Sequence, residues 1–372
     1  MSHAQSFPSP LKIGMVVEQL FQPVPGGSGR YIVELTQALS GVDEISITGL
    51  SAKHKDYSAL GPIPYRAFPW PRQVLYETWR RLSWPRVESK VPDLDLVHAT
   101  TWAIPATRLP LVVTVHDLAF LKDPSHFTRH GVSFFKDAWK RTLDLAAAVI
   151  VPSEATGDHC IHEGLEPERL HVIEHGVAPN TATEAEVEAF RRDFGIRKDF
   201  IMWCGTFEPR KNLSTVLKSY ELIAGDYPEV DLVLIGPKGW GDSGINIPAP
   251  LMERIHLTGK VTDAQLQAAY KAARLFTFPS IWEGFGLPVL EAMAAGTPVI
   301  SAANTSMAEV MGDTGFLVDA LDAQGQAEAV GAILEQDKDS LGSLGLQRAK
   351  GFTWDAAAQQ HIEVYKKVAA RA

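Results

Sequence analysis

The sequence predicts an α/β protein built from two doubly wound domains, each a parallel sheet covered by helices on both faces. Three observations support this. The chain has 372 residues, too many for one ordinary core. Short, β-branched-rich apolar runs alternate with helix-like runs along its length. The alternation is interrupted once, by a Gly/Pro/Asn/Thr-rich loop near the middle, and then restarts.

The first block opens with the strand-like run "LKIGMVV", a glycine-rich turn and the helix-like run "RYIVELTQAL". It continues with the strand-like runs "LDLVHAT" (94–100), "LPLVVTV" (109–115) and "AAVIVPS" (147–153), the last preceded by the helix-like "FFKDAWKRTLDLA". The loop "GVAPNTAT" (176–183) and an amphipathic helix follow, placing a domain seam after residue 178. The second block runs through "DFIMWCG" (199–205), "VDLVLIG" (230–236), "IHLTG" (255–259), "LFTFPS" (275–280) and "TPVISA" (297–302). Runs this apolar suit strands buried on both faces, as in parallel sheets.

Composition narrows the function. A content of 45% hydrophobic and 21% charged residues is that of a globular protein, and a formal charge of −9 argues against a nucleic-acid partner. Two cysteines form no disulfide framework and match no zinc spacing, which suits a reducing compartment. The start "MSHAQSFPSPLKIGMVV" shows no basic segment followed by a long apolar run, and no stretch reaches the roughly 18 apolar residues of a membrane span. The expected location is the cytoplasm, or at most the inner face of the cell membrane.

In open α/β sheets ligands bind at the carboxyl ends of strands, so the residues just after each strand matter most. After the first come Gly26, Gly27, Ser28 and Gly29. Such glycines let backbone N–H groups approach a phosphate, or simply make a tight turn, and both readings stand. The pattern matches neither a dinucleotide fingerprint, since Ile32 occupies the third small position, nor a P-loop, since no Gly-Lys-Ser/Thr follows. His116 and Asp117 follow "LPLVVTV", where a histidine is either a functional group or a hydrogen-bonded structural one. Arg210 and Lys211 follow "DFIMWCG" and a proline turn. Adjacent cations at a strand end suit a multiply charged anion, the plainer alternatives being a solvated basic turn or a local pair between Glu208 and Arg210. Asp93 and Asp95 mimic an Asp-x-Asp metal motif but enter a strand, at the wrong end for a ligand, so no metal is expected.

Two acids flank the next turn. In "SIWEGFGLPVLEAMAAGTPVI", Pro288 marks a helix start, Glu283 stays in the loop before it and Glu291 lies about one turn inside. The glycines expose N–H groups beside the helix's positive end, which favours an anion, yet a carboxylate repels phosphate. Glu291 instead suits a vicinal diol such as a ribose, and Glu283 a second polyol. A ligand with diol, diphosphate and diol in sequence would satisfy acids, amides and cations together, and a nucleotide sugar is such a ligand. The preference of acids for a helix N-terminus accounts for part of Glu291 and for nothing of Glu283.

The pattern "EGFGLPVLE" followed by "AMAAGTPVI" resembles the Glu-x7-Glu motif of retaining GT-B glycosyltransferases of family four. "PGGSGRY", "VHD", "GTFEPRKN", "LTGKVTD" and "FTWDAAAQ" follow that family's order along most of the chain. The resemblance implies the GT-B fold: two Rossmann-like domains facing a cleft, with the last helix crossing back. Residues 1–178 would form the acceptor-binding domain, completed by about 357–372, and residues 179–356 the nucleotide-sugar-binding domain. It further implies that Glu291 holds ribose hydroxyls and Glu283 donor-sugar hydroxyls. Arg210 and Lys211 would hold the diphosphate with backbone N–H groups of Gly26 and Gly27. The loop and helix start at Phe285, Gly286 and Leu287 would serve the same charge, Val261 would touch the base, and His116 would lie at the reaction centre. Catalysis is assigned to His116, Glu283, Arg210 and Lys211, with no metal.

Where many members carry Arg after the strand-end glycine, this chain has Thr206, a form that resembles mannosyl- and rhamnosyltransferases. The implied donor is GDP-mannose, with UDP- and dTDP-sugars as alternatives, and the implied acceptor a glycan or lipid-linked saccharide. Residues 70–86, "WPRQVLYETWRRLSWPR", combine three Trp with four Arg and read either as a lipid-surface contact or as a packed helix with solvated arginines. An inactive nucleotide-sugar-binding scaffold and a GT-B epimerase are the competing functions. Both glutamates and the Arg-Lys pair favour catalysis.

Overall fold

The structure, a computed structural model, describes residues 10–237, 239 and 247–371; residues 1–9, part of the start read above for a leader, lie outside them. The chain divides into two compact units, Met1–Gly176 with Trp354–Ala372, and Val177–Thr353.

The first unit holds a seven-stranded sheet of β1 (Leu11–Val16), β2 (Ile45–Ser51), β3 (Tyr65–Ala67), β4 (Leu96–Ala99), β5 (Leu111–Thr114), β6 (Ala148–Val151) and β7 (Leu170–Val172), in the order 3-2-1-4-5-6-7. Every strand pair is parallel. β4, β5 and β6 are buried at every residue, as a sheet covered on both faces requires. On one face Tyr31, Ile32, Leu35 and Leu39, at helical spacing on Gly26–Ser40, meet Ala358, Ile362 and Tyr365 of the last helix, Trp354–Ala369. On the other face Trp79, Phe120 and Trp139 close the core.

A buried chain of hydrogen bonds also ties the last helix to this sheet. His361 Nδ1 donates to the Ala357 carbonyl at 2.7 Å, which leaves Nε2 to accept from the Tyr31 hydroxyl at 2.8 Å. The Tyr31 oxygen therefore accepts from Thr114, at 2.8 Å, and Thr114 accepts from His98 Nε2, also at 2.8 Å. Tyr365 closes the chain on His98 Nδ1 at 2.8 Å. One carbonyl sets every proton position, and both histidines are neutral.

The second unit repeats the plan with β8 (Asp199–Cys204), β9 (Val230–Ile235), β10 (Ile255–Gly259), β11 (Leu275–Phe278), β12 (Val299–Ala302) and β13 (Phe316–Val318), ordered 10-9-8-11-12-13 and parallel throughout. The strand order reverses between β1 and β4 in the first unit and between β8 and β11 in the second. Those are the points where doubly wound sheets open a crevice at their carboxyl ends.

Four strands escape the apolar-run reading. β3, β7 and β13 are three residues long and partly exposed, so no apolar stretch marks them. β2, "ISITGLS", intersperses Ser, Thr and Gly among its apolar residues and resembles a loop by composition. The glycine-rich turn is also displaced: Gly26 and Gly27 form the first turn of their helix, not a loop ahead of it.

Candidate functional site

In the second unit the switch point brings two strand-end loops together. A short 3-10 turn, Pro209–Lys211, follows β8, and residues 279–286 follow β11. Asn212, in the left-handed region at φ 54°, donates its side-chain amide to the Pro279 carbonyl at 3.0 Å. The Ile281 N–H donates to the Arg210 carbonyl at 2.9 Å, so the loops are stitched by backbone as well.

This places residues 72 apart in sequence in direct contact. Lys211 Nζ donates to Glu283 Oε1 at 2.6 Å, and Ser280 Oγ donates to the same oxygen at 2.6 Å. Arg210 lies 3.4 Å from that oxygen, bonds the Trp282 carbonyl at 2.9 Å and pairs with Glu208 at 2.8 Å. The plain local pair of Glu208 with Arg210 is thus present, and Arg210 is shared between two acids. Burial pushes the Glu283 carboxyl up, but Lys211 and Arg210 outweigh it and hold the group below the usual carboxylate range. Oε2 of Glu283 receives no hydrogen bond from the described residues.

The glycine before the helix Leu287–Ala294 is required. Gly286 sits at φ 99°, and a Cβ there would lie 2.6 Å from Met307 Cγ. Phe285 and Leu287 are buried in the unit's core, so only their backbone can serve a ligand. Glu291 Oε2 accepts from the Tyr270 hydroxyl at 3.1 Å, and Cys204 Sγ lies 3.0 Å from the same hydroxyl. Val261, half-buried, precedes the helix Asp263–Ala272 and packs on the core.

In the first unit His116 follows β5. Its Nε2 donates to the Thr100 carbonyl at 3.0 Å, which assigns the proton to Nε2 and the lone pair to Nδ1. The Tyr31 ring meets it edge-on at 5.0 Å, and His175 lies at 5.7 Å. Burial holds its pKa below the usual imidazole range, so His116 is neutral at pH 7. The helix that begins at Gly26 and Gly27 therefore carries, in Tyr31, a wall of the His116 environment.

Sequence reading missed His175, Tyr270, Cys204 and Asn212 as contributors. His175 had a usable signal, since it closes "HVIEH" as His116 closes "LPLVVTVH". Tyr270 and Cys204 had none, because each looks like ordinary core.

Other expectations resolve locally. Asp95 accepts from the Lys12 N–H at 2.7 Å and organises a strand entry. Among the described residues, no group of three His, Cys, Asp or Glu could hold a metal ion, and no helix is long and apolar enough to cross a membrane. In the segment 70–86, Trp79 is a core residue, 1% exposed, with Nε1 donating to the Pro85 carbonyl at 3.0 Å. Arg80 pairs with Asp137 and Glu77, and Arg81 with Glu77 at 2.7 Å. Trp84, 53% exposed and 4.9 Å from Trp70, is left at the surface.

Comparison with known proteins agrees with this layout. The family model for Glycosyl transferases group 1 matches residues 198–336, and that for Glycosyltransferase Family 4 matches residues 25–181. O-antigen chain mannosyltransferase B of Escherichia coli is 28% identical, covering 96% of this chain and 100% of the relative. The phosphatidyl-myo-inositol mannosyltransferase of Mycobacterium leprae is 26% identical over 96% of this chain and 97% of its own. Among solved structures, Anabaena HepE in complex with UDP and glucose superposes with a TM-score of 0.74 at 20% identity, covering 95% of this chain and 99% of that one. WaaG, a glycosyltransferase of lipopolysaccharide biosynthesis, gives a TM-score of 0.73 at 14% identity, with coverage of 95% and 99%.

Proposed function

Because the chain belongs to the group 1, family 4 glycosyltransferases and is a hexosyltransferase of GT-B fold, we propose that it moves mannose from GDP-mannose to an acceptor hydroxyl, keeping the anomeric configuration. The observation that carries this reading is the Arg210–Lys211–Glu283 cluster at the β8/β11 switch point. Both cations bear on one oxygen of Glu283, so the positive charge is held in place before any ligand arrives. A departing diphosphate gains charge as the glycosidic bond breaks. Lys211, Arg210 and the helix N-terminus after Gly286 stabilise that charge without a metal. Glu283 thereby has two duties: Oε1 orients the cations, while Oε2 accepts from a hydroxyl of the donor sugar. Gly26, Gly27 and His116 are assigned to the diphosphate and the reacting sugar, and the backbone around Val261 to the base. No carboxylate stands as a covalent nucleophile in this reading, and a phosphate oxygen takes the acceptor's proton.

Mannose as the sugar is supported by the relatives named as mannosyltransferases, and a glycan or lipid-linked acceptor by their names. Those relatives are transferases, which favours neither an inactive scaffold nor an epimerase. The test is turnover of GDP-, UDP- and dTDP-hexoses by the wild type and by Glu291→Ala. GDP-mannose should be the best donor, and the variant should raise donor KM by about tenfold or more, the value of one or two hydrogen bonds to a charged group. Wild-type KM in Glu291→Ala would sink the ribose assignment, and a UDP- or dTDP-hexose as best donor would replace the GDP-mannose reading.

Lipid-surface contact through residues 70–86 now rests on Trp70 and Trp84, since Trp79 is core. Flotation with vesicles containing anionic phospholipid should fall when both are replaced by alanine. Equal flotation of variant and wild type would remove this surface from consideration.

A further inference from the structure

We infer that Tyr270, backed by the Cys204 thiol, is a specificity-determining positioning residue that fixes the plane of the Glu291 carboxylate for reading a ribose diol. The inference rests on the donor reading above and adds to it residues that no motif marks.

Three separate elements meet here. Cys204 is the last residue of β8, Tyr270 lies on the helix Asp263–Ala272, and Glu291 on the helix Leu287–Ala294. A phenol has one proton to give and a carboxylate can only accept. Tyr270 therefore donates to Glu291 Oε2 at 3.1 Å, and Cys204 must donate its S–H to the phenol oxygen at 3.0 Å. Burial, with Cys204 and Glu291 adjacent, pushes the Tyr270 phenol well above its ordinary range, so the donor stays protonated at any working pH.

The phenol itself has no freedom to wander. Tyr270 is 2% exposed, its ring meets Phe276 edge-on at 5.3 Å, and its carbonyl accepts from Thr297 Oγ1 at 2.5 Å. Glutamate has three side-chain torsions, the last of them broad, and a hydrogen bond to one oxygen restricts rotation about it. Holding two ribose hydroxyls at once depends on that rotation, because both must find oxygens in a defined plane. The arrangement also differs from ordinary satisfaction of a buried tyrosine. In the same unit Tyr220, also 2% exposed, donates its proton to a backbone carbonyl, that of Val230, at 2.8 Å. Tyr270 instead directs its only proton to a carboxylate assigned to a ligand.

The experiment uses the full chain and needs no acceptor. Affinities of wild type, Tyr270→Phe and Cys204→Ala for GDP and for 2′,3′-dideoxy-GDP are measured by calorimetry, with UDP and its dideoxy form run in parallel. The wild type should prefer the ribose form. Tyr270→Phe should weaken GDP about tenfold and leave dideoxy-GDP nearly unchanged, so that the ratio of the two collapses. Cys204→Ala should move the ratio the same way by a smaller factor. A wild type indifferent to the hydroxyls overturns the ribose reading of Glu291 and this inference with it. A wild type that discriminates, with Tyr270→Phe keeping the full ratio, overturns this inference alone. A variant that weakens both ligands equally assigns Tyr270 a purely structural role and also overturns it.

Discussion

Replacing Lys211 by alanine is expected to lower the rate of hexose transfer by about a hundredfold, ~3 kcal/mol of transition-state stabilisation. The ammonium lies 2.6 Å from Glu283 Oε1, and both side chains are largely buried, at 13% and 11% exposure. Its removal takes a fixed charge from the place assigned to the departing diphosphate. It also leaves Glu283 with Ser280 at 2.6 Å and the more distant Arg210 at 3.4 Å. Because leaving-group charge grows on the way to the transition state, kcat should fall more than donor KM rises. The fold should survive, since Asn212 and the Ile281–Arg210 backbone bond hold the turn without Lys211. Steady-state kinetics beside a thermal melt decides the matter, and wild-type kcat in the variant would refute the site. The pH profile supplies a second readout. Glu283 is held below the usual carboxylate range by Lys211 and Arg210, against the upward push of burial. Its ion pairs therefore stabilise the fold above the unfolded carboxyl's pKa and are lost as pH falls through the lower folded value. Without Lys211 the folded value rises, and the acid limb of activity should move to higher pH.

Acidification from pH 7 towards pH 4 is expected to destabilise the first unit by ~3 kcal/mol through His361 alone. Burial depresses this imidazole from 6.5 to about 4, and the side chain is 0% exposed. Between those values the unfolded chain binds a proton that the native state refuses. Stability therefore declines as pH drops below 6.5 and levels off below about 4. His98 and His175 are lowered by burial as well and act in the same direction. The structural reason is the chain from Ala357 to Tyr365: His361 Nε2 accepts from Tyr31, and a proton there would face another proton. Urea unfolding at pH 7.5 and pH 5 should show a clear loss of midpoint in the wild type and a smaller loss in His361→Gln. Identical pH dependence in the two proteins would refute this account.

Much of the candidate site was legible because its chemistry sits beside strand ends that composition marks. Arg210, Lys211 and Glu283 each follow an apolar run of the second block, and the parallel order of those runs predicts that their carboxyl ends gather, while His116 follows a run of the first block. The lipid-surface reading of residues 70–86 was weakened for the opposite reason. A helix with Trp and Arg has one appearance in sequence and two in space, and burial of Trp79 with pairing of Arg80 and Arg81 leaves Trp70 and Trp84 to carry the lipid-surface reading.

By itself the sequence determined the layered α/β plan, the two blocks and the identity of the strand-end residues. These follow from hydrophobic periodicity and turn chemistry, which act over neighbours in the chain. Only the tertiary structure decided which of those residues share an oxygen. Lys211 and Glu283 are 72 residues apart and meet because β8 pairs with β11, a register no local pattern encodes. The same holds for Cys204, Tyr270 and Glu291, and for the carbonyl of Ala357 that orders protons as far as Tyr365. Hydrogen bonds of this kind are settled by ångström-scale packing of elements distant in sequence, and the sequence specifies them only through the completed fold.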